Sequence, residues 1–132
     1  MFLNQLSENE KNAFISLSVH VSNANGAFVD EERAMVQEYC KEMGILFFDA
    51  EKTISLDETI SVFKDSNVRI KKIVLLEILG LAYSDGEFDN SEKGFIKEYA
   101  KKIGLSDNDV DKQTEVIKVY IEALKKVAEV IA

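Results

Sequence analysis

Apolar residues recur along the chain at intervals of three and four, the spacing that lines one face of an α-helix. Ser7-x-x-Glu10 and Ser55-x-x-Glu58 indicate helix starts, because a hydroxyl and a carboxylate at this spacing satisfy free amides in a first turn. No segment shows the period-two alternation of strands, so the pattern predicts an all-α chain. The predicted helices run from Ser7 to about Asn25-Gly26, from Asp30 or Glu31 to Gly44, over a short stretch from Ser55, from Ser66 or Asn67 to Tyr83, from Asp89 to Gly104, and from Ser106 to the C-terminus.

An internal repeat organises these helices. When the sequence is shifted by 60 residues, seven of the 22 positions from Ala24 to Ile45 are identical to their counterparts. Two copies are too few for a solenoid, so we expect two helical hairpins related by a pseudo-twofold axis, with connecting and C-terminal helices. The chain then forms one domain over residues 1–132, with repeats at about 7–45 and 67–105 and a C-terminal helix over 107–131.

Composition narrows the class of protein. The 132 residues are 46% hydrophobic and 30% charged, with 24 acids against 16 bases and a net charge of −8. So acidic a chain is a poor partner for nucleic acid or an anionic bilayer. One cysteine and one histidine exclude an internal disulfide and most histidine-rich metal or catalytic sites. The start resembles no signal peptide, and the longest apolar run, over 73–83, is too short to span a membrane. We therefore expect a cytoplasmic protein with no direct membrane insertion.

The turn between the two helices of the second repeat carries the candidate chemistry. Asp85, Glu87, Asp89 and Glu92 lie within eight residues around Gly86. Oxygen ligands grouped in this way suit a hard divalent cation such as calcium or magnesium. The glycine stands second rather than sixth, so this is not an EF-hand. The competing interpretation is that the acids only cap the next helix and meet its positive end, which accounts for Asp89 and Glu92 but does not require Asp85 and Glu87.

Two further groups of residues are weaker candidates for the same cation. The first turn keeps Asn25, Asp30 and Glu32 but has lost the other acids of the pattern. A site there would be weaker, or would share ligands with the second turn across the pseudo-axis. Glu77 interrupts the most apolar helix eight residues before Asp85. It either turns toward the acidic turn as an extra ligand or emerges at an exposed edge, because a buried unpaired carboxylate costs several kcal/mol.

The doubled signature resembles the tellurite-resistance TerB-like family. It consists of a small residue, Asp or Asn, Gly, and an aromatic residue two positions later, followed by Glu and a Gly-apolar stop. The resemblance covers nearly the whole chain and falls on Asp85, Gly86, Glu87 and Glu92, and on Asn25, Gly26 and Glu32 in the first half. It implies an all-helical domain of two related halves whose acidic turns hold a divalent metal. Family members accompany tellurite and stress-response proteins, some of them at membranes, or are fused to J-domain cochaperones. No enzymatic activity comes with the resemblance.

Three functional interpretations follow. The first is a non-enzymatic TerB-like module, related to stress or tellurite resistance, in which calcium, magnesium or zinc in the acidic turn tunes binding to protein partners such as membrane-associated stress proteins. The second is a structural interaction or dimerisation protein whose turn acids are caps, and the third is a carboxylate-metal hydrolase.

The apolar arc of the last helix leaves two alternatives open. It either forms a homodimer or partner groove, or it wedges between both hairpins and is covered on two sides.

Overall fold

The computed structural model describes residues 1–24, 30–46, 50–83 and 90–132. Within these ranges the chain is helical and contains no strand, which confirms the predicted fold class. Short 3₁₀ helices cover Leu3–Gln5 and Ala50–Lys52. The α-helices of the described ranges are α1 (Glu8–Asn23), α2 (Asp30–Glu42), α3 (Leu56–Lys64), α4 (Val68–Ala82), α5 (Asn90–Lys102) and α6 (Asp107–Val130).

Side-chain caps define the helix starts. Ser7 with Glu10 and Ser55 with Glu58 form the two predicted capping boxes, at the starts of α1 and α3. Asn67, one of the two residues predicted to cap α4, accepts from the amide of Ile70 at 2.9 Å. The predicted start of α5 at Asp89 and the predicted end of the first helix at Asn25-Gly26 both lie outside the described residues.

Glycine ends both α2 and α5 by the same backbone motif. Gly44 has φ +77° and Gly104 has φ +96°, a region that side-chain-bearing residues rarely adopt. Beyond each glycine the chain folds back on the helix. The amide of Ile45 donates to the carbonyl of Cys40 at 2.7 Å, and that of Leu105 to Ala100 at 2.8 Å. These are Schellman motifs, which satisfy carbonyls that a helix end would leave free.

Helix bounds in the two halves correspond at the predicted offset. α1 and α4 begin at residues 8 and 68, and α2 and α5 begin at residues 30 and 90. The latter two have the same length of 13 residues. This correspondence is what a duplicated hairpin requires, while the pseudo-twofold relation between the halves stays a prediction.

Helix α1 lies at the centre of the packing and contacts α2, α3, α4 and α5. Phe14 and Leu17 of α1 are fully buried, and the ring of Phe14 meets that of Tyr39 edge-on, with centroids 5.2 Å apart. Helix α6 contacts α4 and α5 instead. Its buried residues, Val110, Thr114 and Ile117, all belong to its first half. The second half of α6 therefore extends beyond the core that the other helices share.

Candidate functional site

Three of the four residues predicted to bind a cation lie where the structure gives no geometry. Asp85, Glu87 and Asp89 fall outside the described residues, as does Asn25 of the weaker first site. Across the ranges that are described, no three His, Cys, Asp or Glu side chains lie close enough together to hold a metal ion. The cation site in the second turn therefore stays a prediction.

The fourth predicted ligand, Glu92, is buried. It lies in the first turn of α5 with 2% of its surface exposed, and Glu32 takes the equivalent place in α2 with 3% exposed. Asp30, by contrast, is exposed at the start of α2. Burying a carboxylate costs free energy that hydration would otherwise supply. Two buried acids at corresponding positions are therefore not simply solvated charges.

Glu77 takes a role that the sequence did not predict. Its side chain in α4 is 6% exposed, so the expectation that it emerges at an exposed edge is wrong. Its Oε1 lies 2.6 Å from the N-terminal nitrogen of Met1 and accepts from the amide of Phe2 at 3.1 Å. The carboxylate of Glu42 lies 3.1 Å from the same N-terminal ammonium. Ion pairing and a backbone amide thus compensate the buried charge, and they hold the start of the chain against α2 and α4.

A groove of about 660 Å³ opens beside this cluster, between α2, α4 and the second half of α6. Its walls are mostly apolar, with carboxylates on the α2 and α4 sides. Met1 lines the groove together with three groups of residues. These are Met35, Glu38, Tyr39 and Glu42 of α2; Leu76, Glu77 and Gly80 of α4 with Tyr83 just after that helix; and Ile117, Tyr120, Ile121, Leu124, Lys125 and Ala128 of α6. An apolar cleft of this size with a few polar groups is typical of a binding site.

Tyrosines add further polar groups to the lining of the groove. The hydroxyl of Tyr39 donates to the carbonyl of Glu77 at 2.9 Å. Burial, with the nearby charges of Glu77 and Glu42, raises the pKa of Tyr39 well above its ordinary value. Burial also raises the pKa of Tyr83, partly offset by Lys118. Both phenols therefore stay protonated near neutral pH, so they contribute hydrogen bonds and aromatic contact area.

The second half of α6 is exposed on its apolar side. Tyr120, Leu124 and Val127 are 41%, 49% and 54% exposed, and Ile131 is 78% exposed. The alternative in which this helix wedges between both hairpins and is covered on two sides is therefore wrong for these residues. The sequence showed the width of the apolar arc, but only the packing shows which part of it is covered.

No helix in the described part of the chain has the combination of length and apolar character that crossing a bilayer requires.

Comparison with known proteins identifies the family. The family model described as tellurite resistance protein TerB matches residues 47–115, just over half of the 132 residues. The matched range includes the second acidic turn and Glu77 but not the first turn. Searches of curated proteins and of solved structures find no match.

Proposed function

The chain belongs to the TerB family, and from that premise we propose that it is a non-enzymatic interaction module of the cytoplasm, related to tellurite resistance or the stress response. A divalent cation bound by Asp85, Glu87, Asp89 and Glu92 tunes its contact with protein partners. Calcium, magnesium and zinc are the candidate ions, since carboxylate oxygens suit the first two and zinc also accepts them.

The observation that carries the proposal is the burial of Glu92. The acids of the three capping boxes, at the starts of α1, α3 and α6, lie nearer to solvent, as Glu58 is exposed and Glu10 and Asp109 are partly exposed. Glu92 shares their position in a first turn but is only 2% exposed. The positive end of α5 favours a negative charge there. Three further acids precede Glu92 within seven positions of the sequence, and a cation bound by all four would stabilise the buried charge.

A path from the turn to the groove supports the regulatory part of the proposal. Tyr83, the residue that caps α4, lines the groove and directly precedes the acidic segment in the chain. An ion held between residues 85 and 92 would join the end of α4 to the start of α5. It would thereby favour one position of Tyr83, so the shape of the groove would respond to the ion.

Titration calorimetry and thermal melting with calcium, magnesium, zinc and manganese test the cation site. The variant is Asp85→Asn with Glu87→Gln, and the matched control is Asp57→Asn with Glu98→Gln, which makes the same charge change at two exposed acids. A bound ion should stabilise the wild type and the control by about 2.7 kcal/mol at 100 times its Kd. The stabilisation should disappear in the Asp85/Glu87 variant. Equal responses in all three proteins, or none in the wild type, would contradict the proposal.

The second candidate is a structural interaction protein whose turn acids only cap α5. It is favoured by the capping boxes of α1, α3 and α6, which show that this chain uses an acid three residues after the cap as a regular device. This candidate predicts no response to cations and a partner whose binding survives chelation. The third interpretation, a carboxylate-metal hydrolase, has no support in the described ranges, where no group of metal ligands forms.

A further inference from the structure

From its middle to its C-terminal end, α6 presents a stripe of large apolar side chains that the described part of the chain leaves uncovered. Val116 is 59% exposed, Val127 is 54% exposed and Val130 is 82% exposed. Scattered single apolar residues on a surface need no explanation, but a continuous stripe marks a contact. The stripe therefore indicates a surface that another protein covers.

The spacing of the stripe is that of a coiled-coil seam. Val116, Tyr120, Ala123, Val127 and Val130 follow one another at intervals of four, three, four and three residues. This alternation keeps side chains on one line along a helix that packs against another helix. Val110 and Ile117 of α6 are instead buried in the body of the protein, while Val119 and Leu124 beside the stripe are exposed as well. Helix α6 thus has two apolar faces, of which the protein itself covers only one.

We propose that a second copy of this chain covers the seam, with the two α6 helices antiparallel about a twofold axis at Ala123. The seam is symmetric about this residue, so Val116 of one copy lies opposite Val130 of the other, and Tyr120 lies next to Val127. A twofold interface requires such self-complementarity, because each contact from one residue to another across the axis is repeated in the opposite direction. Alanine at the centre has the smallest side chain of the five and allows the helices to approach most closely where they cross.

Charge supports a second copy in this orientation. The whole chain carries −8, which opposes self-association over most of its surface. The segment from 118 to 131, however, holds three lysines and two glutamates, so two copies meet there without net acidic repulsion. In the antiparallel register Glu122 lies at nearly the same height along the helix axis as Lys126 of the other copy.

Cysteine crosslinking tests the register. Ala123→Cys puts two thiols beside the twofold axis, within the Cα separation of up to about 7 Å that a disulfide spans. The matched control is Glu129→Cys on the same exposed helix, whose two copies would lie about 18 Å apart along the axis. The natural Cys40 is 1% exposed, so the wild type serves as a blank. We expect a disulfide-linked dimer from Ala123→Cys only. Equal crosslinking of both variants, or none from Ala123→Cys, would overturn the proposal.

Sedimentation equilibrium tests the interface without a covalent bond. The wild type should move with concentration toward twice its chain mass of 14.9 kDa. Val127→Lys should weaken this dimer at least tenfold. Val68→Lys, which makes the same change at a valine of α4 that is 59% exposed, should leave it intact. A wild type that stays monomeric at millimolar concentration overturns the proposal, as does equal weakening by both substitutions. The seam uses α6 alone, so its failure would leave the cation site untouched.

Discussion

Replacing Glu77 by glutamine isolates the charge of the buried carboxylate in the groove. The side chain is 6% exposed, and its Oε1 lies 2.6 Å from the Met1 nitrogen. Glutamine has nearly the same shape and keeps one oxygen that can accept from Met1 and from the amide of Phe2. The substitution therefore removes the ionic part of the contact and leaves the packing of α4 in place.

The expected loss follows from the exposure of the two partners. A hydrogen bond to a charged group contributes about 1.5–3 kcal/mol when well buried. Met1 is 41% exposed, so solvent screening reduces the contribution, and we expect Glu77→Gln to lower the free energy of unfolding by about 1–2 kcal/mol. The entropy of unfolding for 132 residues is about 0.28 kcal/mol/K, so the Tm should fall by about 4–7 °C.

The pH dependence has a definite sign. Burial lowers the pKa of the Met1 amine, but the hydrogen bond and charge of Glu77, followed by those of Glu42, outweigh it and raise the pKa above its ordinary value of 8.0. A group whose pKa is raised by folding contributes its full stabilisation at pH values below its pKa in the unfolded chain. This stabilisation is lost as the pH rises through the pKa of the group in the folded state. The difference in Tm between wild type and Glu77→Gln should therefore be constant up to about pH 8 and narrow above it.

Circular dichroism melts between pH 7 and 10 provide the measurement, and two controls make it specific. Glu42→Gln removes a carboxylate that is 28% exposed, so its loss should be smaller. In protein acetylated at the Met1 amine, Glu77→Gln should cost less than half of its effect in unmodified protein. The reasoning would be refuted if acetylation left the cost of Glu77→Gln unchanged, or if the difference in Tm did not narrow up to pH 10.

Three substitutions outside the groove test the end of α5, the space around its middle and the start of α6. The free energy of unfolding is measured for each by urea denaturation. Gly104→Ala should destabilise by about 1–2 kcal/mol, because φ is +96° there and the new Cβ would lie 3.4 Å from Nζ of Lys71; no loss would contradict the Schellman end of α5. Gly94→Ala, inside α5 with open space around it, should stabilise by about 0.5–1 kcal/mol, and a loss would mean that this face is covered. Ser106→Ala should cost about 1 kcal/mol by removing the α6 cap, and an unchanged stability would contradict that cap.

The helices were predictable because their signals are local. The capping boxes at Ser7 and Ser55 and the stops at Gly44 and Gly104 depend on residues within one or two turns. A hydroxyl three residues before an acid forms its hydrogen bonds wherever the helix later packs. For the same reason the all-α class could be predicted without tertiary information.

The partners of Glu77 could not be predicted, because they are distant in sequence. The Met1 amine and the Phe2 amide lie more than 70 positions away, and they reach the carboxylate only when the start of the chain packs on α4. The sequence showed that a charge interrupts an apolar helix. The free-energy cost of burying an unpaired carboxylate implied that this charge needed either a partner or water. It could not show that the partner was an ammonium rather than a metal ion.

What the sequence by itself determined is the set of helices, their capped starts and glycine stops within the described ranges, the duplicated spacing and the presence of acids in the second turn. These follow from interactions between residues a few positions apart, whose geometry a helix or a turn prescribes. Only the tertiary structure decided that Glu92 and Glu32 are buried, that α2, α4 and α6 enclose a groove, and that half of the apolar arc of α6 is exposed. Burial depends on which elements meet, and an apolar stripe reads the same in sequence whether the same chain or a second one covers it.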